Sequence, residues 1–271
     1  MRGVISAGMV SALEELGMDG VFDAVYGSSA GAINAAYFLA GQARLGTSIY
    51  YEDINNRRFI NLGRAAVGRP IVDVGYLLDD VVVRRKRLDV ERVLASPAPL
   101  SVLATDVETC ARTTLNGFSD GQRLRDALRA GATMPVTAGP PRVYDGRRYL
   151  DASLSEPIPV PTAEADGHTH VLALLTRGGG KRFRLSAFDR YFVEPRLRRL
   201  SPDLARRFLD SAEPYAALVE QMERGTGPAG RAVVWPLKVD DLEIGKLERR
   251  PDVLRAGARR GRQVVIDALG S

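Results

Sequence analysis

Cysteine occurs once in the 271 residues, at Cys110, so no intrachain disulfide can form and no thiolate metal cluster is available. Histidine occurs twice, and His168 and His170 stand two apart, without the spacing of metal ligands. Lysine is scarce: Lys86, Lys181, Lys238 and Lys246 are the only four, so 34 of the 38 basic residues are arginine. Long apolar runs are missing too. The most apolar stretch, 30–43, contains Asn34 and Gln42 and falls short of the ~20 residues that a bilayer-spanning helix needs. Glu14 and Glu15 interrupt the first apolar segment, which argues against a signal peptide. The expectation is a soluble, cytoplasmic protein with no metal site.

The chain is 45% hydrophobic and 26% charged, which excludes a disordered or low-complexity protein and supplies a real core. Its length suits one large α/β domain or two small ones. The net charge is +5. Arginine's forked donors suit phosphate groups, although charge alone does not choose between nucleic acid, phospholipid headgroups and solvent.

Apolar residues at Val4, Met9, Val10, Leu13 and Leu16, with Gly17 as a stop, predict an amphipathic helix at the start of the chain. A short β-like run follows at 21–26, then a glycine turn at 27–31 and a helix over 32–40. Helix, strand, tight turn, helix is the rhythm of an α/β sheet. Helical pieces are expected near 48–55, 74–82 and 90–95, and a buried strand at 100–107 with a hairpin partner at 112–118. A helix is expected over 121–130. Asp145-Gly146 predicts a tight turn between two short strands within 143–150. Another buried strand covers 171–176. The texture then becomes basic and helix-rich over 188–224, with a last strand at 233–236 and a closing helix over 251–269 that starts on proline. Gly178-Gly179-Gly180 lacks the Lys-Ser/Thr of a phosphate loop and reads as a flexible connection.

Gly27-Ser28-Ser29-Ala30-Gly31 is a G-x-S-x-G pentapeptide placed between a predicted strand and a predicted helix. So tight a turn needs small neighbours around its serine. The helix N-terminus behind Ser29 would stabilise a developing alkoxide, and the Ala30 N–H would point to where an oxyanion forms. A serine nucleophile needs a base. The order Ser29, Asp151, His168 formally matches a histidine triad, but both histidines precede a strand where they more simply solvate its entry. The alternative is a carboxylate acting directly. Asp151 stands out, after the apolar Tyr149-Leu150 and before the small Ala152-Ser153.

These residues resemble the patatin-like phospholipases over about the first 180 positions. Residues 27–35 resemble the family's nucleophile elbow and following helix. Arg2-Gly3 resembles the end of its glycine-rich oxyanion loop, and Ala104-Thr105-Asp106 a strand-end segment. Ala130-Gly131-Ala132-Thr133-Met134-Pro135 resembles its A-S-x-A-x-P stretch. The segment 145–153, with Glu156-Pro157-Ile158-Pro159-Val160 after it, resembles the strand carrying the D-G-G/A motif and the turn beyond.

The resemblance implies a three-layer α/β fold with a mostly parallel central sheet flanked by helices. The catalytic part would cover 1–180 and a helix-rich elaboration of the same domain 181–271. It implies Ser29 as nucleophile and Asp151 as general base, with Arg2, Gly3, Gly27, Ala30 and Gly31 forming the elbow and oxyanion site. The implied reaction is hydrolysis of a lipid carboxylic ester through an acyl-enzyme, without cofactor. The motif Asp-Gly-Gly/Ala is Asp151-Ala152-Ser153 here, and alanine resists the φ > 0 open to glycine. The family's opening strand and the glycines before Arg2-Gly3 have no counterpart in this chain, and one lost oxyanion donor costs on the order of 100-fold in rate. A lipid-binding or interaction protein with weakened catalysis on the same fold is therefore the alternative reading. The segment 177–199 holds eight basic residues interleaved with Phe183, Phe188, Tyr191 and Phe192, a pattern that fits peripheral contact with an anionic membrane. Nucleic acid is not an expected partner.

Overall fold

The computed structural model describes residues 1–135, 137–177 and 189–270. The Gly178–Gly180 connection and residues 181–188 of the basic segment lie outside the described residues.

The first helix, α1 (Gly3–Glu15), is buried along the whole of Val4–Leu13 rather than on one face. It is thus an interior helix, not the amphipathic one its spacing suggests. Glycine makes this possible: a Cβ on Gly8 would overlap the Ala258 carbonyl, and one on Gly261 would overlap the Ile5 carbonyl. The long closing helix α10 (Pro251–Leu269) therefore lies backbone against backbone on α1. β1 (Val25–Ser28) leads into α2 (Ala30–Leu39), and α3 (Ala43–Glu52) packs on both α1 and α2. α3 starts five residues before the expected 48–55. Its Ala43 N–H donates to Glu14 Oε2 at 2.7 Å, a cap supplied by a distant residue that local sequence does not show.

Residues Tyr76–Arg85 form a wide π-type helix, followed by α4 (Val90–Leu94). β2 (Leu100–Asp106) is buried at every position and organises the sheet. β3 (Arg112–Leu115) pairs antiparallel with Val102–Thr105. β1 pairs parallel with Leu100–Leu103. After α5 (Gly121–Gly131), β4 (Arg142–Tyr144) and β5 (Arg147–Asp151) form a hairpin through Asp145 and Gly146, both at positive φ as such a turn requires. β5 pairs antiparallel with Ala104–Asp106. Both β1 and β5 overlap the register of β3, so they must share the opposite edge of β2. They meet there head to head, β1 ending at Ser28 opposite Leu103 and β5 ending at Asp151 opposite Ala104.

α6 (Val160–Ala165) precedes β6 (His170–Leu175), which pairs parallel with β7 (Val233–Lys238) in a separate two-stranded sheet. In the five-stranded sheet, expected to be mostly parallel, β1–β2 is parallel and the other three described pairings are antiparallel, so that sheet is mixed, while β6–β7 pair parallel in their own sheet. The Tyr26 side chain links β1 toward β6: its hydroxyl donates to Asp166 Oδ2 at 2.7 Å and its ring meets that of His168 edge-on. The helices α7 (Glu194–Leu200) and α8 (Pro202–Asp210) bury Leu197, Leu204 and Phe208 against Leu150 and Leu154, beside Asp151. α9 (Ala212–Glu223) places Val219 and Met222 against Ala173, Leu175 and Val234. No helix among the described residues is long and apolar enough to cross a membrane.

Candidate active site

Ser29 is the single residue between β1 and α2, and its backbone sits at φ 54°, ψ −125°. Positive φ is strained for a residue with a Cβ, and here the strain turns a strand into a helix within one residue. Gly27 makes the turn sterically possible, because a Cβ there would overlap the backbone of Ala32. Gly31 differs from the sequence expectation: a Cβ at this position meets nothing within 4 Å. Its side of the elbow is open.

A serine at a helix N-cap ordinarily accepts a backbone N–H of the first turn. Ser29 does not. Its hydroxyl donates instead to Asp151 Oδ2 at 2.6 Å. Asp151 Oδ1 accepts the Ser153 N–H at 2.8 Å. Asp151 is buried, and loss of solvation pushes its carboxyl above the usual carboxylate range, partly offset by the donors from Ser29 and Ser153. A carboxylate of raised basicity, directly bonded to a serine hydroxyl at a strained helix start, is able to take that proton.

The backbone around Asp151 is held on both sides. Its N–H donates to the Thr133 carbonyl at 2.9 Å, and its carbonyl accepts the Thr105 hydroxyl at 2.9 Å. Thr105 and Thr133 belong to the Ala104–Asp106 and Ala130–Pro135 segments, and both are fully buried. The two stretches that looked like separate signatures therefore converge on one aspartate. Asp106 ties the far end of β2 to β5. Burial raises its carboxyl, but Arg147, at 2.6 Å, and the donors of Thr109 outweigh that and hold it below its usual range. Ala152 opens a 3-10 turn (Ala152–Leu154) with no positive φ, so alanine carries no strain where the motif has glycine.

Gly3 lies against the elbow: a Cβ on it would meet Ala30 Cβ at 2.7 Å and Tyr50 Oη at 2.5 Å. Its carbonyl accepts Asn34 Nδ2 at 2.9 Å and Ser6 Oγ at 3.1 Å, and Asn34 Oδ1 accepts the Tyr50 hydroxyl at 3.0 Å. This buried polar network fixes the start of α1 beside the start of α2. Arg2, the residue before α1, makes no side-chain cap. The first N–H groups of both helices, from Gly3 and from Ala30 and Gly31, are donors of the kind an oxyanion needs.

The histidines stand apart from this pair. His168 Nε2 lies 3.1 Å from the Tyr26 hydroxyl, and the exposed His170 contacts Thr169 at 3.0 Å. The triad order Ser29, Asp151, His168 has no counterpart in the contacts, since serine and aspartate bond directly. Sequence reasoning missed Lys246. Its positive charge acts on Asp151 from the segment before α10, its Nζ lies 3.7 Å from Asp189, and its carbonyl accepts the Met1 ammonium at 2.6 Å. No motif surrounds Lys246, so only the fold reveals it.

No curated protein matches the chain. Residues 1–164, more than half of the chain, match the family model described as patatin-like phospholipase. That span takes in the elbow, the Thr105 and Thr133 segments and Asp151, and the chain belongs to the patatin-like phospholipase family.

Proposed function

We propose that this protein hydrolyses carboxylic ester bonds of lipids, phospholipid or acylglycerol, through a Ser29–Asp151 dyad. The 2.6 Å hydrogen bond from the strained Ser29 to the buried Asp151 carries the reading. Ser29 Oγ attacks the acyl carbonyl while its proton passes to Asp151 Oδ2. The oxyanion of the tetrahedral intermediate faces the N–H groups that open α2 and α1. Collapse returns the proton from Asp151 to the leaving alcohol and leaves an acyl-Ser29. Asp151 then deprotonates a water, whose attack releases the fatty acid and restores the serine. The dyad needs no cofactor.

Such an enzyme works at a lipid surface, and we place it as a cytoplasmic protein in peripheral contact with anionic membrane. In 177–199, the described residues after 188 include Arg190, Arg196, Arg198 and Arg199. Beside them Tyr191 is 75% and Phe192 50% exposed, which supports that contact.

Turnover of a soluble short-chain p-nitrophenyl ester tests the dyad. Ser29→Ala and Asp151→Asn should each lower kcat/KM on the order of 1,000-fold or more. Activity retained by either folded variant would remove that residue from the mechanism.

A further inference from the structure

Residues 54–72 contain four arginines, Arg57, Arg58, Arg64 and Arg69, and no acidic residue, while Asp53 and Asp73 bound the stretch on either side. The stretch folds back on itself. Ile60 bridges Val72, the Asn61 N–H donates to the Ile71 carbonyl at 2.8 Å, and the Asp73 N–H donates to the Phe59 carbonyl at 2.9 Å. Its base is core: Phe59, Ile60 and Ile71 are buried. Its tip is a single 3-10 helix, Leu62–Val67, in which no residue is buried. Leu62 is 63% and Val67 70% exposed, with Ala65 and Ala66 exposed between them. Asn61 caps this helix through the Gly63 N–H at 3.0 Å, and Gly68 at φ 69° ends it. The apolar tip is thus a formed element and not a frayed end.

We infer that this hairpin is a membrane-docking element, with Leu62, Ala65, Ala66 and Val67 entering the interfacial layer of an anionic bilayer and the arginines around them meeting its phosphates. Charge complementarity argues for the occupant. Arg58 and Arg64 reach Asp80 and Asp73 at 3.3 and 3.7 Å, whereas the exposed Arg57 and Arg69 have no carboxylate partner among the described residues. An exposed apolar tip on a stretch that carries two arginines beyond those its neighbouring carboxylates engage matches an anionic headgroup layer over an acyl core. The position argues for the role. The Val72 N–H donates to the Thr137 carbonyl at 2.6 Å, and Thr137 follows by four residues the Thr133 whose carbonyl holds the Asp151 N–H. The base of the hairpin and the backbone of Asp151 are thus tied to two residues four apart, which links the docking element to the dyad. The inference rests on the lipid-hydrolase reading for its purpose, but not for its observations, and it concerns residues other than 177–199.

Co-sedimentation with vesicles of phosphatidylcholine containing one-fifth phosphatidylglycerol tests it, using the Ser29→Ala chain so that the lipid is not consumed. The chain should bind these vesicles and bind pure phosphatidylcholine at least ten-fold more weakly, since each basic residue near an anionic surface strengthens binding roughly five-fold. L62E/V67E should weaken binding ten-fold or more, while the same pair of changes in the active chain leaves soluble-ester turnover unchanged. R57A/R69A, which spares the apolar tip, should lose the preference for phosphatidylglycerol. Equal binding by L62E/V67E and the parent would overturn the inference, as would no vesicle binding by the parent. A dimer in solution that L62E/V67E dissociates would also overturn it, assigning the tip to a second copy instead. Vesicle binding without ester turnover by the unmodified chain would sink the hydrolase reading and leave the docking element standing.

Discussion

Ser29 holds a backbone conformation that glycine adopts freely and serine does not, at a cost of about 1–3 kcal/mol. Ser29→Gly should therefore be more stable than Ser29→Ala by about 1 kcal/mol in urea unfolding, with both inactive. Equal stabilities would show that the elbow stores no strain. Asp151 gives a second prediction. It accepts a proton only as carboxylate, and burial raises its carboxyl, so soluble-ester activity should fall as pH drops through a value above the ordinary ~3.9 of aspartate. An acid limb in kcat/KM at or below that value contradicts the assignment. The same shift has a stability sign. The folded state holds this proton more tightly than the unfolded chain, so the contribution is fully present below the ordinary aspartate pKa and is lost as pH rises through the raised one. Asp151→Asn removes a buried charge and should melt no lower than the parent at neutral pH while losing turnover. At this scale the candidate pair could be named from the sequence: Ser29 from a pentapeptide between strand and helix, and Asp151 from its place between Tyr149-Leu150 and Ala152-Ser153 together with a resemblance of segments. Thr105, Thr133 and Asn34 were not assigned roles, because their work is done through hydrogen bonds to backbone far away in sequence.

Elements inherit these demands. The turn from β1 into α2 leaves no space for a side chain at Gly27, so Gly27→Ala should separate strand from helix. A loss of about 2–3 kcal/mol is expected, with turnover falling in step because Ser29 moves with the turn. Gly31→Ala meets open space and should fold as the parent does, which a thermal melt of both variants checks. The contact of α1 with α10 gives a parallel case. Gly8 and Gly261 let the two backbones touch, and alanine at either position should lower stability by about 1–3 kcal/mol, or some 2–12 °C in Tm. Because α1 also carries Gly3 to the elbow, such variants should lose kcat before KM. Element types along most of the chain were readable from periodicity and turn residues, as in the Asp145-Gly146 hairpin and the proline-started α10. The start of α3 was not, since its cap comes from Glu14 on another helix, and the full burial of α1 was not, since α10, from the far end of the sequence, packs on its Ile5 and Gly8.

The whole molecule brings a four-residue strand and a five-residue strand to the same edge of β2, and Ser29 and Asp151 are where they meet. Stoichiometric labelling of Ser29 by a fluorophosphonate probe is the expected readout at this scale. Absence of labelling in the folded chain would favour the alternative of a lipid-binding protein on the same fold. Composition, turn chemistry and the G-x-S-x-G pentapeptide were enough to determine an α/β chain with a serine set at a strand-to-helix turn, because those properties depend on neighbours within a few residues. What joins Ser29 to Asp151 across 122 positions is the register of β2, with Thr105 and Thr133 clamping the aspartate and a glycine-lined contact holding α1 against the elbow. Those are long-range steric and hydrogen-bonding choices, made only when the strands pair and the helices close over them, and the tertiary structure alone decided them.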